Sequence, residues 1–284
     1  MPNPVPLALD PHSNVLVSPG YLAGPGGSRN IFNTLDLAPG WTKTIAFGTD
    51  TYYTSPCQRV RIANAVESFY GGWTISFAED PLGVPDWITT FDRNTPHEIV
   101  TAFTGTLVDG LHNNFADYLS GGQHYTGTSP AHLIARHRWE PVHGSRPFRM
   151  VSPDGHATYQ MRVGWLHEYD ELLTPKKSTW RMSAGADPVY TPNWQAFFSQ
   201  YTPQHLITAS TAAFTNPAPV PRVLDHIPDR HRSMVSITRP DTASPSPRTA
   251  AALARSTHAQ ARHAPPPPSA PTRLTTHVGS RRQR

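Results

Sequence analysis

The stretch WTISFAEDPLGVPDWITTFDRNTPHEIVTAFT (Trp73–Thr104) returns later in the chain as WRMSAGADPVYTPNWQAFFSQYTPQHLITAST (Trp180–Thr211). Laid over one another without gaps, the two agree at 12 of 32 positions, among them both tryptophans, the Asp-Pro and Thr-Pro pairs and Phe91/Phe198. In the first copy Trp73, Ile75 and Phe77 alternate with Thr74 and Ser76, the period-2 pattern of a half-buried strand. Asp80-Pro81 marks a turn, because proline lacks the donor a central strand needs and aspartate favours turns. Trp87, Thr89 and Phe91 alternate again, so Trp73–Phe91 is predicted as a hairpin. Thr95-Pro96-His97-Glu98 then has the form of a capping box, with Thr at the N-cap, Pro at the first helical position and Glu three residues on. Ile99, Val100, Phe103 and Leu107 make the apolar stripe of the helix that follows. The second copy keeps Thr202-Pro203 and the stripe Leu206, Ile207 and Phe214. It has His205 where the capping Glu stands, a lost cap bond of about 1 kcal/mol.

The repetition extends upstream. Ser55-Pro56 matches Ser152-Pro153, Trp41 matches Trp139, and Ser18-Pro19 in SPGYL matches Ser129-Pro130 in SPAHL. A unit of about 100 residues written twice is a duplicated domain, not a solenoid of short repeats. Val60–Ala63 and Val15–Ser18 are predicted as companion strands. The second copy carries extra residues around GWLHEYDELLTPKK (Gly164–Lys177). The expected fold class is α+β: two tandem repeats, each a small antiparallel sheet followed by a helix laid on one face, plus a disordered C-terminal tail. The expected boundaries are an N-terminal extension at 1–13, repeats at 14–120 and 125–221, and the tail at 222–284.

The motifs SPGYLAGPG (Ser18–Gly26), Gly40-Trp41, Ser55-Pro56, the tryptophans Trp73 and Trp87, and TPHEIVTAF (Thr95–Phe103) resemble the domain of unknown function 317, also called the SPDY domain, typical of Streptomyces-type actinobacterial proteins and often present in two copies. Ser152-Pro153-Asp154-Gly155, Trp180, Trp194 and Thr202-Pro203 carry the resemblance in the second copy. It covers residues 14–215. SPAHLIARHRW (Ser129–Trp139) departs from it by lacking the Leu-Ala-Gly-Pro-Gly run. The resemblance implies the duplicated architecture and carries no activity with it.

Charge is divided along the chain. Residues 1–221 hold 13 Lys+Arg against 17 Asp+Glu, a net −4, whereas residues 222–284 hold 11 Arg against 3 Asp, a net +8. HAPPPPSAPTR (His263–Arg273) and SITRPDTASPSPR (Ser236–Arg248) are low-complexity segments that bury too little apolar surface to offset ordering entropy. Spaced arginines of this kind contact phosphates non-specifically, which nominates Arg255, Arg262, Arg273, Arg281, Arg282 and Arg284 as nucleic-acid contacts. Cys57 is the only cysteine, so neither an intramolecular disulfide nor a cysteine zinc cluster is possible. The N-terminus has no basic n-region followed by an apolar core, and no apolar run approaches the roughly 18 residues of a membrane span. The expectation is a cytoplasmic protein with no membrane partner.

The chemical candidates each have a plainer account. His132 and His137 stand five apart, whereas a zinc helix needs His-Glu-x-x-His. Asp80 and Asp187 recur as a pair, but each precedes a turn proline. GPGGS (Gly24–Ser28) lacks the lysine and strand-loop-helix setting of a P-loop, and no Gly-x-Ser-x-Gly elbow is present. The tryptophans suit either a core or an aromatic platform for bases or proline-rich peptide. No catalytic residue, metal or cofactor is therefore expected. The leading expectation is a non-enzymatic interaction module for a macromolecule, protein or nucleic acid, with a basic tail. Its rival is an enzyme with a site in the cleft between the repeats. Polar groups without a repeat partner would mark that site, and His137, Glu140, His143, His167, Glu168 and Asp170 are the residues to follow.

Overall fold

The computed structural model describes residues 10–65, 71–113, 119, 128–164 and 166–240. Ten strands make one antiparallel sheet. Five come from the first copy: β2 (Thr42–Ala46), β3 (Asp50–Thr54), β4 (Val60–Ala65), β5 (Gly72–Phe77) and β6 (Trp87–Asp92). Five come from the second: β7 (Glu140–Pro141), β8 (Phe148–Val151), β9 (Ala157–Met161), β10 (Trp180–Ala184) and β11 (Trp194–Phe198). Their order across the sheet is β2-β3-β4-β5-β6-β11-β10-β9-β8-β7. The expected hairpin is β5–β6, and its counterpart is β10–β11. Two small sheets were expected; the structure joins them edge to edge, because β6 and β11 each present a free edge that only another strand satisfies.

The seam is symmetric. Phe91 pairs with Ala196, Thr90 with Phe197 and Thr89 with Phe198. The copies are offset by 107 residues (180 − 73), so Thr90 and Phe197 are the same position in each. An antiparallel pair brings equivalent residues opposite each other only at a twofold axis, so a pseudo-twofold passes between them.

Four helices cover one face: α1 (Arg29–Asp36), α2 (His97–His112), α3 (Pro130–Arg136) and α5 (Gln204–Phe214). Phe103 of α2 meets Trp87, Phe91 and Phe198, and Phe214 of α5 meets Trp194 and Trp139. The alternating Trp, Ile and Phe positions of the strands therefore point into the helix layer. At the centre Ser210 Oγ donates to the Ile99 carbonyl of α2 at 3.3 Å. A fifth helix, α4 (Glu168–Leu173), lies in the extra segment of the second copy.

Several expectations change. The capping box does not form: the helix starts at His97, with Pro96 at the N-cap in an extended conformation and no side-chain cap bond. Thr95 lies outside the helix, its hydroxyl 3.5 Å from the Gln195 carbonyl. Ser129 does cap α3, accepting from the His132 amide. However, α3 is the counterpart of α1 and not of Ser18-Pro19, since each precedes the Trp41/Trp139 position and packs on its copy's long helix.

Val15–Ser18 joins a separate three-stranded sheet. In it β1 (Asn14–Ser18) is flanked by β12 (Val220–Val223) and β13 (Ser236–Thr238). The boundary expected at residue 222 thus falls inside a strand, and residues 222–240 are folded, not disordered. Composition misled here because the segment is anchored by few residues: Arg222, Ile227 and His231 are buried, and Ile227 packs with Val15, Val17 and Ala23. Residues 241–284 lie outside the described residues.

Two histidines, His231 buried and His205 half-buried, set an acid limit on stability. Burial pushes the His205 imidazole down to about 4 and also lowers His231, whose Nδ1 lies 2.8 Å from the Leu22 carbonyl. A folded-state value below the ordinary 6.5 means that the unfolded chain binds more protons as pH falls. Stability is therefore intact above about pH 6.5 and is lost as pH drops towards 4. Thermal melts across that window should show a falling midpoint, with a shallower slope in His205→Gln; an unchanged slope in the variant would remove His205 from the account.

Candidate functional site

The residues singled out from sequence do not converge. Arg255, Arg262, Arg273, Arg281, Arg282 and Arg284 lie outside the described residues. His137 ends α3. Glu140 and His143 are exposed at the far edge of the sheet. His167 caps α4 by accepting from the Tyr169 amide, Glu168 opens that helix, and Asp170 lies 3.7 Å from Lys177. Among the described residues no three His, Cys, Asp or Glu side chains stand close enough to hold a metal ion.

The other motifs are structural. Asp80 accepts from the Leu82 amide, and Asp187 from those of Val189 and Tyr190, so both are turn carboxylates. Glu98 is held by Arg222 through two bonds of 2.7 Å. The GPGGS loop packs on that pair: Gly26 has φ +67, and a Cβ there would lie 2.4 Å from His97 Nδ1 and 2.9 Å from Arg222 Cζ. Close approach explains this glycine without a phosphate. Trp73, Trp87, Trp139, Trp180 and Trp194 are buried, so they are core and not a stacking platform. On the helix side Phe91, Phe103 and Phe198 pack against one another at the junction between the copies.

The chemistry lies on the opposite face of the sheet. Strand register places one row of side chains across it: Thr44, Tyr52, Ala63, Thr74, Thr90, Phe197, Arg181, Gln160 and Arg149. The pseudo-twofold sits between Thr90 and Phe197, so the two halves can be compared position by position. Tyr52, Ala63 and Thr74 in the first copy become Arg149, Gln160 and Arg181 in the second. Along this row the second copy carries two arginines where the first has none.

The extra segment of the second copy completes this half. Its turn at Pro175–Lys177 packs beside β11, and Lys176 borders two hollows on the face. The first, about 270 Å³, spans the junction and is lined by Thr74, Thr90, Asp92, Gln195 and Phe197. Burial raises the Asp92 carboxyl above its ordinary range. The second, about 290 Å³, is lined by Arg146, Gln160, Arg162, Lys176, Ser178 and Arg181, with Thr179 alongside. Glu171, only 2% exposed, fixes the segment: its carboxylate accepts from Arg162 Nη2, the Thr179 hydroxyl and the Gln200 amide.

Arg181 stacks over Phe197 at 5.9 Å and donates to the Val189 carbonyl at 3.3 Å. Burial, then repulsion from Arg149, lowers its pKa. The buried Nε atoms of Arg149 and Arg181 have no hydrogen-bond partner among the described residues. Sequence reading missed this set. Its signal was available: six cations fall between 146 and 181, among them Arg146, Arg149, Arg162, Lys176 and Arg181. Only the register shows that they share a face.

These features define a class, a tandem-duplicated α+β domain pair with one helix layer and, opposite it, a sheet face partly covered by the extra segment of the second copy. Residues 54–110 and 151–220 match the family model of SPDY, a domain of unknown function (DUF317). The two matched segments are consistent with two tandem copies of this domain. No curated protein and no solved structure matches the chain. Among the described residues no helix is long and apolar enough to cross a membrane.

Proposed function

We infer that the protein is a binding module for single-stranded nucleic acid, with the sheet face opposite the main helix layer as its platform. The observation that carries this reading is the cross-sheet row, in which Arg149 and Arg181 replace Tyr52 and Thr74 of the other copy. Residues 1–240 hold 17 cations against 19 carboxylates, a net −2, and five of those cations sit together here. A cationic cluster on a weakly acidic body orients the approach of a polyanion. Phosphates along the strand pair with Arg146, Arg149, Lys176 and Arg181. The neighbouring hollow offers the Gln195 amide, the Asp92 carboxyl and the Thr74 and Thr90 hydroxyls to base edges, the kind of contact by which unpaired bases are read. The tail arginines Arg255, Arg262, Arg273, Arg281, Arg282 and Arg284 add sequence-independent attraction.

Anisotropy titrations of a labelled single strand, over a salt series, test this. The full chain and a chain ending at Pro240 are both expected to bind. Arg149→Gln with Arg181→Gln should weaken binding and reduce the log–log salt slope by about two. Binding by the full chain alone would assign all affinity to the tail and overturn the platform.

A further inference from the structure

The hollow between β8, β9, β10 and the extra segment has the composition of an anion site, and its charge decides which anion. Arg162 is already balanced by Glu171, with 2.6 Å between Nη2 and Oε1. Its Nε also donates to the Lys177 carbonyl at 3.1 Å, so the guanidinium is fixed in place. Arg146, Lys176 and Arg181 have no carboxylate partner among the described residues, and no carboxylate lines the hollow. Three uncompensated cations favour a dianion over a monoanion, since each added negative charge is attracted to all three.

A second observation is independent of charge. Ser178 is 8% exposed and lines the hollow. Its amide is used, donating to the Pro175 carbonyl at 2.9 Å. Its Oγ has no partner among the described residues. A buried hydroxyl left unpaired is costly, and buried polar groups normally find a partner. An oxyanion in the hollow supplies an acceptor for this hydroxyl and for the Arg181 guanidinium together. The extra segment, which the first copy lacks, brings Lys176, Ser178 and Thr179 and the Glu171 that positions Arg162.

We propose that this hollow is a site for a phosphate monoester dianion, the terminal phosphate of a strand lying on the sheet face. The strand's diester phosphates, with one charge each, continue past it towards Arg149, which does not line the hollow. The assignment rests on the nucleic-acid reading for its source of phosphate, but the site itself does not.

The test uses the full chain. Inorganic phosphate is titrated calorimetrically at low ionic strength, into wild type, Ser178→Ala and Arg146→Met with Lys176→Met. Arg146 and Lys176 are exposed, so that double variant keeps its fold; unchanged thermal melts check it. Saturable binding of one phosphate is expected, weaker by about fivefold in Ser178→Ala and by about tenfold or more in the double variant. Single strands ending in a 5′-phosphate, a 3′-phosphate or hydroxyls are then compared. A phosphorylated end should bind about fivefold tighter, and Ser178→Ala should erase the advantage.

No saturable phosphate binding, or equal binding by wild type and both variants, overturns the site. If strands bind but end phosphate adds nothing and free phosphate does not compete, the site fails while the platform stands. If phosphate saturates the hollow but no strand binds, the dianion site stands and the nucleic-acid source fails.

Discussion

Arg222→Ala is expected to lower unfolding stability by about 3–5 kcal/mol, the usual cost of removing one partner from a buried ion pair. The Arg222 side chain is 1% exposed, and Glu98 opposite is 27% exposed. Its fork binds both carboxylate oxygens at 2.7 Å, and the same guanidinium donates to the Gly24 carbonyl at 3.2 Å and the Pro221 carbonyl at 2.8 Å. One side chain thereby ties β12 to the start of α2 and to the loop after β1. The alanine variant leaves Glu98 without its main partner and two carbonyls without donors. Lysine keeps the charge but not the fork, so Arg222→Lys should fall between. Arg222→Met with Glu98→Gln should recover part of the loss, because the stranded charge goes too. Urea unfolding followed by circular dichroism reads all four proteins. An Arg222→Ala midpoint within error of wild type would mean that the three-stranded sheet contributes nothing to the fold. The same logic places any truncation at Pro240, since a cut at Pro221 removes this anchor and the β13 partner of β1.

The legible part of this fold was the part written in periodicity. Trp73–Phe77 and Trp87–Phe91 alternate strictly, and Ile99, Val100, Phe103 and Leu107 repeat at helical spacing, so hairpin and helix were readable residue by residue. The repeat itself gave the two copies of the strand-and-helix unit. Three things were not local and stayed hidden. The joining of β6 to β11 depends on two edges meeting, and Phe91 and Phe198 look like ordinary core residues until they touch. The folded segment after Pro221 depends on Arg222 finding Glu98, 124 positions away, and no window of composition contains that pair. The cationic row needs register: Arg149 and Arg181 are 32 residues apart in sequence (181 − 149) and two strands apart in the sheet, with Gln160 between. Asymmetry between copies leads to different places according to the residues compared. Applied to histidines and carboxylates it pointed to exposed edges, whereas applied to arginines on the strands it points to one face.

Phe198→Ala is expected to cost about 3–5 kcal/mol and, more tellingly, to melt both copies together. Phe198 lies on the seam strand of the second copy, with Phe91 and Phe103 of the first at centroid distances of 5.6 and 6.1 Å. Truncating it opens a cavity between the copies and not within one. The pseudo-twofold explains why the seam cannot simply collapse to fill it. Phe103 and Ser210 occupy equivalent positions in α2 and α5 (103 + 107 = 210). One is the largest residue at the crossing and the other a small one that lets the helices approach, its hydroxyl bonded to the Ile99 carbonyl. That large-small pairing fixes the distance between the helices, so the void left at Phe198 persists. Because the sheet runs unbroken from β2 to β7 and an aromatic cluster is shared across the seam, unfolding should be a single event. Tryptophan fluorescence, with reporters such as Trp73 and Trp194 in either copy, should lose signal at the same urea concentration as circular dichroism, in wild type and variant alike. Two separated transitions would show that each copy holds its own core and that the seam is a docking contact. Coincident transitions, shifted together by one seam residue, would make the pair the folding unit and the single sheet face the surface it was duplicated to build.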